Sequence, residues 1–361
     1  MEDTMRRNIG ALAVAMLLLA SPALWAQAGA AAVPFLLISP DARASGMGEA
    51  GTAIADNINA IFWNPGGLGF LRSRQIALSF SRWLPQFNAD LFYSYATAGQ
   101  YFKELDGTVA LNFILMNLGE FVRTDNFGNT LGTFRSNEFT LGVSYGTLIA
   151  DDLGAGIQLR FIRSNLAPAA PGESVAGIGT SGSFDLGILW KPRQLRIAGV
   201  ELDDRLALGL NIQNIGPKMT YRNEADPLPT NLRLGLAVQA VRDEFNDLKF
   251  AVDVSKLMVR RDSLGSDALP TSFITAWKNP GVELAMGMEY WYQQLVALRL
   301  GYFTEPSRLG NRRFITFGAG IRYDMFTLDF NYINTIEENH PLAGTMRFSL
   351  LIDLGSTASP E

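Results

Sequence analysis

The chain has no cysteine, which excludes disulfides, iron–sulfur clusters and thiolate metal sites. It has one histidine, His340, which lies beside Pro341 and reads as a loop residue. One histidine cannot build a His-rich metal site, and any Ser-His pair would have to use it. Charge is sparse: 18% of residues are charged, against ~25% in ordinary soluble domains. The net charge of −5 and the lack of a basic cluster argue against a nucleic-acid partner. Also missing after residue 30 is any uninterrupted apolar run near the ~20 residues that a membrane helix needs. Hydrophobic residues nevertheless make up 48% of the chain. A transmembrane β-barrel reconciles these facts, because only alternate residues of its strands must be apolar.

At the N-terminus Arg6 and Arg7 precede an apolar run from Ile9 to Ala20, which Ser21-Pro22 breaks. Ala26-Gln27-Ala28 then offers a small-x-small cleavage site. This is the layout of a secretory signal over residues 1–28, with the mature chain starting near Gly29. Glu2 and Asp3 are unusual in such a segment, so Met5 is as good a start as Met1. The run is too short for a membrane anchor.

From residue 75 onwards one pattern repeats. Segments alternate apolar residues with small or polar ones, as in Val109, Leu111, Phe113 and Leu115, or Leu206, Leu208, Leu210 and Ile212. Period-two alternation gives each strand one apolar face. The predicted strands are 75–83, 90–98, 107–117, 138–148, 152–164, 181–190, 204–214, 230–239, 247–256, 281–290, 293–303, 313–323, 326–333 and 345–354. That is about fourteen strands, near the ~9–11 residues each needs to cross a bilayer. The expected fold is all-β, an antiparallel transmembrane barrel over 75–355 with a tail at 356–361.

A soluble β-sandwich is the rival architecture, and two features oppose it. The second face of the strands carries Gly, Ala, Ser and Thr with scattered charges: Arg160, Asp185, Arg233, Lys249, Asp253, Glu283, Glu289, Arg299, Arg322, Asp329, Arg347 and Asp353. Both signs are equally represented, which suits a lumen packed with its own ion pairs or a plug. A strongly ion-selective pore would favour one sign. The connections also alternate between long and short. Outer-membrane barrels put long loops outside and short turns in the periplasm. The long loops are expected near 118–137, 165–180, 215–229 and 257–280, and very short turns at 291–292 and 324–325. Trp83, Trp190, Tyr290, Trp291, Tyr292, Tyr302 and Tyr323, near strand ends, fit interfacial girdles.

Residues 29–74 read as a periplasmic or plug segment. Gly46 and Gly48 allow close backbone approach to a wall. A short helix is expected at 49–56, and Trp63-Asn64-Pro65 leads into a turn. Gly46, Gly48 and Gly51 resemble a phosphate-cradling loop, but no strand precedes them and no acid follows at a ribose-binding spacing. No cofactor or metal site is expected. The paired acids Asp151-Asp152 and Asp203-Asp204 fall at predicted turns, so the chain is not expected to be an enzyme.

A hatch ending in Trp63-Asn64-Pro65 followed by a barrel resembles the long-chain fatty-acid transporter class of outer-membrane proteins, whose barrels have fourteen strands. The run Val33–Ala44 is similar to the mature N-terminus of the PorV family of the type IX secretion system. So are the stretches 159–164, 229–235, 289–292, 298–303, 310–313 and 340–342 running into 346–348, in collinear order over nearly the whole mature chain. The resemblance implies an outer-membrane carrier. It would receive the C-terminal β-sandwich signal domain of a cargo at a giant outer-membrane translocon. It would then deliver the cargo to a sortase-containing attachment complex at the cell surface. The partners implied are cargo signal domains, the translocon, attachment-complex subunits and outer-membrane lipids. Such a carrier needs an exposed rim, and Phe121, Phe127, Phe134, Leu166, Met219, Tyr221 and Phe273 are its candidate apolar contacts. The alternative is a fatty-acid-transporter-like channel for hydrophobic small molecules.

Overall fold

The computed structural model describes residues 31–356 apart from 88–89, 126, 170–176, 198, 223, 263–264 and 279–280. The expected signal at 1–28 and most of the tail at 356–361 lie outside the described residues. Fourteen antiparallel strands close into one barrel, each paired with its neighbours in the chain, and the first pairs with the last. They are β1 (Ser73–Arg82), β2 (Phe92–Phe102), β3 (Gly107–Thr124), β4 (Thr130–Ala150), β5 (Leu153–Ala167), β6 (Gly177–Trp190) and β7 (Leu206–Ile215). Then follow β8 (Asn231–Arg242), β9 (Asn246–Leu257), β10 (Glu283–Tyr292), β11 (Val296–Thr304), β12 (Arg313–Tyr323), β13 (Phe326–Thr335) and β14 (Met346–Ser356).

The alternation seen in the sequence becomes an inside-out distribution. Leu111, Leu141, Leu159, Leu298 and Leu328 point outward and are more than half exposed, while Arg160, Asp185, Glu289, Arg299 and Arg347 are buried inside. A soluble protein would bury the first set; here lipid covers it. Several interior charges neutralise one another. Arg160 pairs with Asp185, and Arg299 meets Glu289 and Asp329, each at 2.7 Å. Among the described residues no helix is long and apolar enough to cross a membrane.

Connections after odd-numbered strands lie at one end of the barrel and those after even-numbered strands at the other. Turns such as 151–152, 243–245, 293–295 and 324–325 mark the short end. The expected loop at 118–137 is corrected: most of it is strand. β3 and β4 run on as a two-stranded ribbon beyond the sheet, closing at 125–129. Phe121 and Phe134 pair directly across it with rings 5.8 Å apart and stacked. The connection 191–205, by contrast, is long although it lies at the short end, and a two-residue-per-strand hairpin folds within it. The turn expected at 291–292 falls at 293–295. Trp291 does not join an interfacial girdle: it is buried in the lumen, between the guanidinium groups of Arg299 and Arg322. Tyr292 and Tyr323, on the same end, do face outward and are exposed.

Candidate functional site

Residues 31–71 thread the lumen. Ala32 donates to the Pro227 carbonyl among the long connections, whereas Arg72 reaches Asp106 in a short turn at the opposite end. The helix expected at 49–56 is not there. Helices form instead at Ala42–Gly46 and Ala60–Trp63. Asp41 caps the first, accepting from the Ala44 amide. Gly48 and Glu49 take positive φ, which ends the helix. The Gly51 and Thr52 amides then donate to Asp253 of the wall, at 2.9 and 2.8 Å, rather than to a helical turn.

Each of the five hatch residues singled out in the sequence has a definite contact. A β-carbon on Gly46 would press on Gly318, and one on Gly48 would fall 2.6 Å from the Tyr302 backbone. Trp63 donates its indole N–H to Asp41 at 2.6 Å, tying the two helices together, and lies under the Arg233 guanidinium. Asn64 donates through Nδ2 to the carbonyls of Thr52 and Ile188, at 3.0 and 2.9 Å, while its Oδ1 accepts from the Gly66 amide. Pro65 lies against Gly156 and Gly187, where side chains on the wall would collide with it. Glycines on both partners let the hatch backbone touch the barrel backbone.

Near the short end, Arg43 of the hatch joins Asp56 and, at 2.8 Å, Glu289. Lys249 stands 3.8 Å from Asp56. Burial works against both charged partners, but their attraction prevails. Arg43 is held above the usual guanidinium range by Asp56 and Glu289. Asp56 is held below the usual carboxylate range, chiefly by Arg43 and then Lys249. Arg43, Asp56 and Lys249 line a polar cleft of about 620 Å³ with Trp291 and Arg322.

The long-loop end is a cap of interlocked connections. Lys218 donates to the Ser266 carbonyl and Arg261 pairs with Asp226, joining 216–230 to 258–282. Between these two lies a cleft of about 470 Å³ lined by Lys218, Leu228, Met258 and Leu269. Arg312 binds Glu305 at 2.7 Å. Burial alone would lower this guanidinium, but Glu305 and Glu283 raise it above its usual value. Asn311 and Arg313 both reach Glu337 in the next connection. Gln86 donates to the Ala343 carbonyl. His340 accepts the Leu342 amide on Nδ1 at 3.1 Å, a turn-forming role. Arg123 anchors the ribbon to the Pro168 carbonyl at 2.5 Å.

The seven candidate contact residues are spread over this cap. Phe127, at the ribbon tip, is 91% exposed; Phe121 and Leu166 are also exposed. Phe134 is half-buried behind Phe121, and Phe273 is half-buried on the helix Thr271–Thr275. Tyr221 is half-buried, and burial pushes its phenol up to about 12. Met219 is fully buried against the Gly179 position of β6. Sequence reasoning passed over Ile274 and Trp277, 76% and 57% exposed. Their i, i+3 spacing was the available signal, but it is short and lies inside a connection. No cluster of His, Cys, Asp and Glu that could hold a metal occurs among the described residues.

The family model for the type IX secretion system protein PorV matches residues 25–263. No curated protein matches the chain in sequence. Among solved structures, the chain is similar to the Pseudomonas putida toluene transporter TodX, with 14% identity, a TM-score of 0.55, and 88% of this chain and 98% of that one covered. It is similar to a Pseudomonas aeruginosa FadL homologue at 12% identity and TM-score 0.54, covering 88% and 99%. It is also similar to the CymD monoaromatic hydrocarbon channel at 11% and 0.54, covering 88% and 96%. At such identities the likeness is one of fold.

Proposed function

The chain belongs to the PorV family of type IX secretion system proteins, and from that premise we propose that this outer-membrane barrel is a carrier of secreted cargo and not a catalyst. It receives the C-terminal signal domain of a cargo at the translocon and hands the cargo to the sortase-containing attachment complex. Residues 1–28 act as its export signal and are removed. Residues 29–74 form the hatch segment, and 75–355 the barrel.

One observation carries the reading. The lumen is filled by a hatch bonded to the wall on opposite sides, through Ser349 of β14 and Asn211 of β7, while the loop end presents exposed aromatic side chains on interlocked connections. A filled bore with a sticky, braced rim suits reversible docking of a folded domain better than passage of a solute. Phe121, Phe127 and Trp277 are the anchors we assign to that rim, with Leu166, Phe134, Tyr221 and Phe273 supporting them and Met219 packing beneath. Large aromatic anchors commonly dominate such interfaces.

The test is affinity purification of the tagged protein from gently solubilised native outer membranes. The expected companions are secreted proteins that still carry a shared C-terminal β-sandwich domain, with a giant barrel or a sortase. A lone barrel that retains hydrocarbon or fatty acid would overturn the carrier reading. It would favour a channel for hydrophobic small molecules, the role for which the toluene transporter TodX is named.

A further inference from the structure

Arg347 stands on β14 inside the lumen and is fully buried. Its Nη1 donates to the Ser45 hydroxyl on the first hatch helix. Its Nε and Nη2, the two groups on the side edge of the guanidinium, meet no acceptor. Asn331 is the residue directly opposite in the ladder with β13 and is equally buried. Neither its Nδ2 nor its Oδ1 has a partner. Thr345, two positions before Arg347 and on the same face, is buried with its hydroxyl unpartnered as well. Five neighbouring polar atoms are thus without a partner among the described residues. Native interiors rarely leave such groups unsatisfied together.

The acidic groups whose field reaches Arg347 are Glu49 and Asp41. Asp41 is engaged by the Ala44 amide and the Trp63 indole. Glu49 is partly exposed at φ 71°, and no ion pair joins it to Arg347. The Tyr93 hydroxyl donates to the Ile38 carbonyl. A buried guanidinium with one edge unbonded and no carboxylate in contact is costly unless an anion neutralises it.

We propose that Arg347, Asn331 and Thr345 form a buried site for a small oxyanion, of the carboxylate or phosphate type, which locks the hatch to the barrel wall. The side edge of a guanidinium offers two parallel N–H groups that match two oxygens of such an anion. Asn331 Nδ2 and the Thr345 hydroxyl supply further donors. The same guanidinium holds Ser45, so the anion, the wall and the hatch share one hub. All three residues are fully buried, so only a ligand of a few atoms fits the proposal.

The barrel, purified in detergent with a bulky sulfonate as the only buffer anion, is titrated with formate and separately with inorganic phosphate at constant ionic strength. Thermal unfolding and equilibrium dialysis with the labelled anion are read together. The expected result is one anion bound per barrel and a saturable rise in the unfolding midpoint of a few degrees at about a hundredfold excess over Kd. The anion that binds more tightly identifies the class. Arg347→Lys keeps the charge but loses the paired donors, and should weaken binding at least about tenfold. Arg347→Met should abolish the response, and its midpoint in sulfonate alone should match or exceed that of the wild type. Glu49→Gln removes a nearby negative charge that competes with a bound anion and should tighten binding. Three outcomes overturn the proposal: a wild type indifferent to both anions, so that water alone fills the site; an Arg347→Met barrel that responds undiminished; or a Glu49→Gln barrel that is destabilised and binds no anion, which would make Glu49 the partner.

Discussion

Asn64 satisfies three backbone groups with one side chain: it donates to Thr52 and Ile188 and accepts from Gly66. It is fully buried, so each lost bond leaves a dry polar atom. Asn64→Ala should destabilise the protein by about 1–3 kcal/mol, seen as a lowered unfolding midpoint. Asn64→Asp should be worse, because it sets a carboxylate against two carbonyls. Arg160 makes a parallel case. Arg160→Met strands the buried Asp185 carboxylate and should cost about 3–5 kcal/mol. Replacing both partners by apolar residues should recover much of that loss in a double-mutant cycle. At the rim the expectation reverses. Phe127 has almost no packing to lose, so Phe127→Asp should change stability by less than about 0.5 kcal/mol. It should nonetheless reduce recovery of signal-domain cargo. Equal recovery would remove Phe127 from the docking surface.

Each of the fourteen strands was legible because lipid on one side and a filled lumen on the other impose period-two alternation. The second strand, whose alternation is blurred by Leu91, Phe92, Tyr93 and Tyr95, runs on past its expected end at 98 to Phe102. The ribbon was missed for the complementary reason. Residues 120–124 and 130–135 stand clear of the core, so no face is selected, and strand form comes from mutual pairing alone. The hatch showed its glycines and its Trp-Asn-Pro bend, but not where its helices fall. A four- or five-residue helix has too little periodicity to read, and the amides at Gly51 and Thr52 are drawn off by Asp253, a residue two hundred positions away. Trp291 was misjudged because its flanking tyrosines do face outward, and one residue of register separates bilayer from lumen. Two element-scale outcomes follow. Gly301→Val, which would drive a side chain into the Gly48 backbone, should keep the barrel closed but unseat the hatch. Limited proteolysis would then cut within 41–71, where the wild type resists. Shortening the ribbon to a tight turn near Leu118 should leave heat-modifiable migration intact while cargo recovery falls. An intact cargo yield would move the docking surface to the Ile274–Trp277 side of the cap.

At the scale of the whole molecule, the hatch is bonded to opposite walls, to Ser349 of β14 and Asn211 of β7, and its charges add braces to the adjoining strands β9 and β10. Arg43 is the clearest brace, reaching from the hatch to Glu289 on β10 while holding Asp56 beside Lys249. The sign of its pH dependence follows from the depressed Asp56 carboxyl. A carboxyl whose folded value lies below its unfolded value of ~3.9 contributes stability that is fully present above the unfolded value. That contribution is lost progressively as pH falls from the unfolded value through the folded one. The difference in unfolding midpoint between wild type and Asp56→Asn should therefore be flat from neutral pH to about 5, and should shrink only below about 4. Because Asp56 is one-third exposed at the cleft, added salt should reduce the difference at every pH without moving its onset. A difference that already fades between pH 7 and 5 would mean that Asp56 carries no depressed carboxyl. The hatch would then be held by its backbone contacts to the glycines of the wall rather than by this brace, and acidification in that range would leave it seated.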